Sequence, residues 1–159
     1  MEHMIEILKK ELEIYQEILK ISEEKTDIII GDKVELLKPM VDREETLVSQ
    51  YISLEKQRIG IVKDFAKSKG INEVLKIDDL CEYFHDDAEE MKRLKNEILD
   101  VTKKIKVKNS LNQELVKNSL DFINFSVGIM TGTNTGTGTY GRQGAQVKGE
   151  ARKFLDISL

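Results

Sequence analysis

Between Ile5 and Ile29, apolar and small side chains recur at alternating steps of three and four: Ile5, Leu8, Leu12, Tyr15, Leu19, Ser22, Thr26 and Ile29. That spacing places them on one stripe of an α-helix. Glu6 stands four residues before Lys10, an order that supports an exposed helix face. Gly31 is expected to end the segment in left-handed geometry, and Asp32 to cap the next helix by accepting from a free backbone N–H. The second segment carries Leu37, Val41, Leu47 or Val48, Tyr51, Leu54, Ile61 or Val62, and Phe65, a broader stripe interrupted by Glu44 and Arg58. Pro39 predicts a kink or break near residues 36–39, because proline lacks an N–H and collides with the preceding turn. Gly70 closes this segment, and residues 71–85 read as a helical connector, with Asp78 capping a turn or two that hold Leu80, Tyr83 and Phe84.

The third segment is the longest, with Met91, Leu94, Ile98, Val101, Ile105, Lys108, Asn112, Leu115, Ser119, Phe122, Ser126 and Ile129 keeping the same steps. One helix from about Asp87 to Ile129 would extend roughly 60 Å, more than a compact domain of this mass covers, so part of it should overhang. Its first half has an aliphatic stripe suited to packing on the first two helices, with Glu89 and Arg93, and Asp100 and Lys104, as supporting pairs. In the second half the stripe turns polar while Leu111, Val116, Leu120, Ile123 and Phe125 lie beside it, so apolar groups wrap around the helix. Such a helix needs a partner on more than one side.

The expected fold is all-α: an elongated antiparallel three-helix bundle of long helices over residues 1–130, with a short helical connector. Residues 131–159 are expected to form a separate linker and tail. Thr131 to Gly141 consists almost entirely of threonine and glycine, which cannot recover the entropy of ordering, so a flexible linker is expected. Val147, Phe154, Leu155, Ile157 and Leu159 then return as sparse apolar groups among Arg142, Lys148, Arg152 and Lys153, and read as a short docking peptide.

Composition narrows the function. A charged fraction of 34% beside a hydrophobic fraction of 40% suits long helices with much wet surface, and one proline with no tryptophan leaves little punctuation for strands. The net charge of −4 argues against nucleic acid, whose phosphates need a basic surface. The run from Lys103 to Lys108 is the one dense basic patch, and without a stacking aromatic it reads as a solvated face. A single cysteine, Cys81, cannot form an internal disulfide, and no run has membrane length, so a reducing cytoplasm is the expected compartment and no membrane insertion is expected.

No residue set supports catalysis, a metal or a cofactor. Gly136 to Gly141 satisfies a G-x-G-x-x-G spacing, but it follows a helix rather than a strand. Cys81 and His85 could share a helix face, yet two ligands do not make a zinc site, and no turn beside Cys81 suggests an oxyanion hole. What needs an explanation is the apolar excess between Leu111 and Ile129, which burial in this chain or in a homodimer would explain, as would a face for another protein's amphipathic helix.

The stretch Asn118, Ser119, Leu120, Asp121, Phe122 and Ile123, followed by Thr139, Tyr140, Gly141, Arg142, Gln143 and Gly144, resembles the FlgN family of flagellar type III export chaperones. The resemblance covers nearly the whole chain. It implies a cytoplasmic chaperone without cofactor that holds the hook-filament junction proteins, FlgK-like and FlgL-like, by their C-terminal helices and delivers them to the export apparatus. On that reading Leu115, Leu120, Phe122, Ile123, Phe125 and Ile129 bind the client, with Tyr140 and the tail as a second contact. The alternatives are a coiled-coil adaptor or homo-oligomer, and a helical chaperone for a different flagellar client such as the filament cap.

Overall fold

A computed structural model describes residues 2–131. Every regular element among them is helical: α1 (Glu2–Ile30), a 3-10 turn (Val34–Leu36), α2 (Leu37–Ser68), α3 (Ile77–Tyr83) and α4 (His85–Met130). The threonine and glycine linker, Tyr140 and the terminal apolar groups lie outside the described residues.

The turns show where sequence reasoning was approximate. At the end of α1 it is Asp32 that takes the left-handed conformation, with φ 52°, and not Gly31. Asp32 N–H donates to Ile29 O and Lys33 N–H to Ile28 O, the paired bonds of a Schellman motif that places its left-handed residue one position beyond the C-cap. Asp32 therefore closes α1 and caps nothing after it; the residues preceding the 3-10 turn and α2, Lys33 and Leu36, make no side-chain cap. Gly70, with φ 68°, plays the same part at the end of α2, where Ile71 N–H donates to Ala66 O. The break expected near Pro39 falls just before it. Proline occupies the third position of α2, where a backbone N–H would have had no helical partner. The connector's short helix is capped by Asp79, whose carboxylate accepts from Lys76 N–H at 2.7 Å, while Asp78 pairs with Lys95 of α4.

α1 is the central element. Glu17 pairs with Arg43, Lys25 with Glu44, and Tyr15 stacks against Tyr51 with centroids 5.0 Å apart, so α1 and α2 run antiparallel. Lys9 pairs with Glu90, and Thr26 meets Asn112, so α4 runs parallel to α1. No Cα of α2 comes within 8 Å of a Cα of α4. The first half of α4 packs mainly on α1 and α3, while its contact with α2 is through side chains, Phe65 lying against Phe84 at the start of α4 with centroids 5.1 Å apart. The cause lies in α1, whose buried face is wider than the single stripe read from the sequence. Met4, Ile7, Ile14, Ile18 and Ile21 are buried together with Leu8, Leu12 and Tyr15, whereas Ile5 and Leu19 are half-buried. Two adjoining apolar faces on one helix hold two partners apart.

The two interfaces differ in chemistry. Between α1 and α2 lies an ion pair, with Arg58 Nε donating to Glu11 Oε1 at 3.2 Å and Glu11 only 1% exposed. Arg58, which interrupts the α2 stripe in sequence, is thus an interface residue. Burial raises the Glu11 carboxyl above its ordinary range, and the nearby guanidinium partly offsets that. Between α1 and α4 the contact is aliphatic through Met91, Leu94, Ile98 and Ile105, each burial contributing about 1.5–3 kcal/mol. It ends in a polar layer. Asn112 Nδ2 donates to Ser22 O at 2.9 Å, its Oδ1 accepts from Thr26 Oγ1 at 2.7 Å, and Asn109 Oδ1 lies 3.1 Å from Ser22 Oγ. A buried amide satisfied on both ends fixes the register of two helices, because sliding either one would leave it unpaired.

Candidate binding surface

Asn112 is the last buried residue of α4. Beyond it the helix continues for eighteen residues, Gln113 to Met130, or about 27 Å, with no described element covering it. At 100° per residue, the side of α4 that carries Ile98, Ile105 and Asn112 against α1 continues as Val116, Leu120, Ile123 and Val127. All four are exposed. A second stripe, Leu115, Phe122, Phe125 and Ile129, lies on a different side; Phe122 is 71% exposed, Phe125 and Ile129 are exposed, and Leu115 is half-buried. Ser119 and Ser126 donate to the carbonyls of Leu115 and Phe122 in the preceding turn, which satisfies their hydroxyls within the helix. What these two sides of the helix offer to solvent is therefore mainly apolar.

The first stripe leads into a groove. Because α2 and α4 stay apart, the space between them is open over α1, forming two adjoining hollows of about 540 and 550 Å³ that share Val41 and Asn109. Tyr15 and Ile18 supply the floor, Val48 and Ile52 one wall and Ile105 the other; nearer the α4 overhang, Ile29, Leu37, Val116 and Leu120 take over. Burial raises the phenols of Tyr15 and Tyr51 above the ordinary range, so both are neutral in the physiological range. The rim carries Glu44 and Glu45 on α2, and Lys25 with Lys117 toward the overhang.

Of the residues singled out by sequence, Leu120 lies in the groove, Ile123 continues its α4 wall, and Phe122, Phe125 and Ile129 form the second stripe with Leu115. Tyr140 lies outside the described residues. Sequence reasoning missed the groove itself. The steps of four, three and four from Val116 to Val127 were available as a signal for its continuation, but the separation of α2 from α4 was not.

The other chemistry finds no setting. Cys81 is buried, its thiol pushed up by desolvation, and its Sγ lies 3.7 Å from Ala88 O, while His85 is exposed. Among the described residues no group of three His, Cys, Asp or Glu side chains could hold a metal ion, and no helix is long and apolar enough to cross a membrane. Lys103, Lys104 and Lys106 are solvated, as a charged helix face would be.

A central helix with two flanking partners and a long apolar overhang is a general arrangement, and comparison with known proteins gives the family. The family model described as FlgN protein matches residues 1–148. The chain belongs to the FlgN family. This FlgN-family chain is also similar to a Bacillus subtilis (strain 168) protein named "Uncharacterized protein YvyG", 24% identical over 123 residues, which are 77% of this chain and 76% of that one. No solved structure matches it. Membership makes the chain a flagellar export chaperone, in keeping with the resemblance drawn from Asn118 to Ile123 and Thr139 to Gly144.

Proposed function

We propose that this chaperone holds FlgK-like and FlgL-like junction proteins by their C-terminal helices in the cytoplasm, keeps those helices from associating early, and hands them to the type III export apparatus. The observation that carries this reading is the uncovered apolar surface of α4 from Leu115 to Ile129. An amphipathic helix presents anchors at i, i+3, i+4 and i+7, and the line Val116, Leu120, Ile123 and Val127 offers a matching row where α1 has ended. Phe122, Phe125 and Ile129 give the client a second side to grip. Each large side chain that becomes fully covered would contribute about 1.5–3 kcal/mol, enough for a specific complex yet compatible with release. Substituting Phe122→Asp and Phe125→Asp tests the assignment. The folded double variant should lose capture of co-expressed junction protein, and capture at wild-type strength would place the client elsewhere.

The same bare stripes also suit pairing of two copies of α4, which is the adaptor or homodimer reading. Mass in solution separates them: a dimer at every concentration that hides α4 favours self-pairing, and a monomer forming one-to-one complexes favours the chaperone.

A further inference from the structure

The outer side of α4 carries one polar residue that the client-binding reading leaves without a use. Leu111, Leu115, Asn118, Phe122, Phe125 and Ile129 follow one another at alternating steps of four and three, the repeat of a coiled-coil seam. At 100° per residue this stripe stands about 120° around the helix from the line of Ile98, Ile105 and Asn112 that faces α1, and no described element covers it. Asn118 sits at the middle of the seam, exposed, and its side-chain amide hydrogen-bonds to no described residue. We propose that Asn118 selects the client: the helix seated on this stripe places an Asn, Gln, Ser or Thr opposite Asn118, among apolar anchors at the same steps. The inference rests on the reading that the client lies on α4.

A helix laid on the stripe takes the Asn118 amide out of water. Hidden without a hydrogen-bonding partner, that amide would weaken the complex about tenfold or more; met by a group that both donates and accepts, it is nearly neutral. The aromatic anchors cannot set the register by themselves, because an apolar partner slid by one heptad would cover Phe122 and Phe125 equally well. Only one register brings the two polar groups together, which is how a single polar residue in an apolar seam fixes the alignment and choice of partner.

A second copy of the chain fits this seam worse than a different helix does. Laid parallel and in register, two α4 helices set Lys104 and Lys108, which continue the same steps toward the N-terminus, against their own copies. Laid antiparallel with Asn118 facing Asn118, they set Glu114 of each against Asp121 of the other. Like charges so placed oppose both arrangements. The charges of the overhang are Glu114, Lys117 and Asp121. Glu114 and Asp121 border the seam on one edge and make no ion pair with any described residue, while Lys117 stands behind them at the groove. The other edge carries Ser119 and Ser126, whose hydroxyls are bonded within the helix. The fitting helix thus carries a basic residue along one edge and needs no charge along the other.

The test is a rescue, with the full-length chain, a FlgK-like junction protein as probe, and dissociation constants measured by titration calorimetry. Asn118→Leu, at an exposed position, should weaken binding about tenfold with helical circular dichroism intact, because the probe's polar residue is left unpaired. Each Asn, Gln, Ser and Thr of the probe's C-terminal helix is then replaced by Leu. One of these replacements should weaken binding to the parent chain by a similar factor, yet restore binding to the Asn118→Leu chain to the parent value or tighter, a coupling that a structural role of Asn118 does not produce. Unchanged affinity of Asn118→Leu overturns the proposal, as does the lack of any rescuing replacement. Phe122→Asp with Phe125→Asp tells this failure from that of the underlying reading. If that double variant loses the probe while Asn118→Leu binds it at parent strength, the client lies on α4 and only the selecting role falls; if the double variant keeps the probe, both fall. A client-free parent chain that is a dimer, and becomes a monomer in the double variant, gives the seam to a second copy and also overturns the proposal.

Discussion

From Met91 to Asn112, α4 spends its apolar side chains on one side, against α1, and keeps lysines and glutamates on the other; from Gln113 to Met130 the same side continues without α1, and a second apolar stripe is added. The helix is continuous across the boundary, and its hydrogen bonds are satisfied within it on both sides. Only the neighbours change. An apolar pattern therefore records that a helix has a partner without recording whether that partner is in the same chain. The second half carries more apolar residues than one contact face uses, and no described element covers them.

The contrast is sharpened most by truncating the covered half. Ile98→Ala should cost about 2–5 kcal/mol in denaturant unfolding, since Ile98 is fully buried and its neighbours cannot collapse completely. At the boundary, Asn112→Ala should cost about 1–3 kcal/mol by the same measurement, because Thr26 Oγ1 and Ser22 O lose a buried partner. In the bare half, Phe122→Asp should change stability by less than about 0.5 kcal/mol, as surface substitutions do; a loss of several kcal/mol would show that a described helix covers it after all.

The smallest effect concerns pH at the covered end. Glu90 accepts from Arg93 and pairs with Lys9, and these bonds hold its carboxyl down at about 2. A carboxyl whose pKa is lowered by folding contributes stability above its ordinary value near 4.5, and that contribution is lost as the pH falls toward 2. Glu90→Gln should therefore make the stability curve shallower between pH 4.5 and 2 and leave it parallel to wild type at neutral pH. An unchanged acid slope would show that the pair forms equally in the unfolded chain.

The helices were legible because their periodicity runs for many turns, and the overhang because a 46-residue helix outruns its 29-residue neighbour. The bare apolar stretch was legible for the same reason: Leu120, Phe122, Ile123 and Phe125 exceed what one face can bury. Arg58 was not legible as an interface residue, since its partner Glu11 is 47 positions away and nothing local links them. The width of the buried face on α1 was present in Ile7, Ile14, Ile18 and Ile21 but masked by a neighbouring stripe of equal regularity. The groove was invisible because it consists of a distance between two helices, and a one-dimensional pattern does not carry that distance. Left-handed geometry at Asp32 instead of Gly31 was a one-residue displacement that the Schellman bonds decide only once both are formed.

The parallel pairing of α1 with α4 has a consequence for biosynthesis. Ser22 and Thr26 meet Asn109 and Asn112 across separations of 86 to 90 residues, so α1 waits for the far part of α4 to be translated. Meanwhile α2, translated next, can shield only one of its two greasy sides. Nascent chains must therefore pass through a half-wrapped state in which Leu8, on the side of α1 that carries Ser22 and Thr26, is still uncovered, and crowding among polysomes would penalise this protein more than a bundle built from successive hairpins.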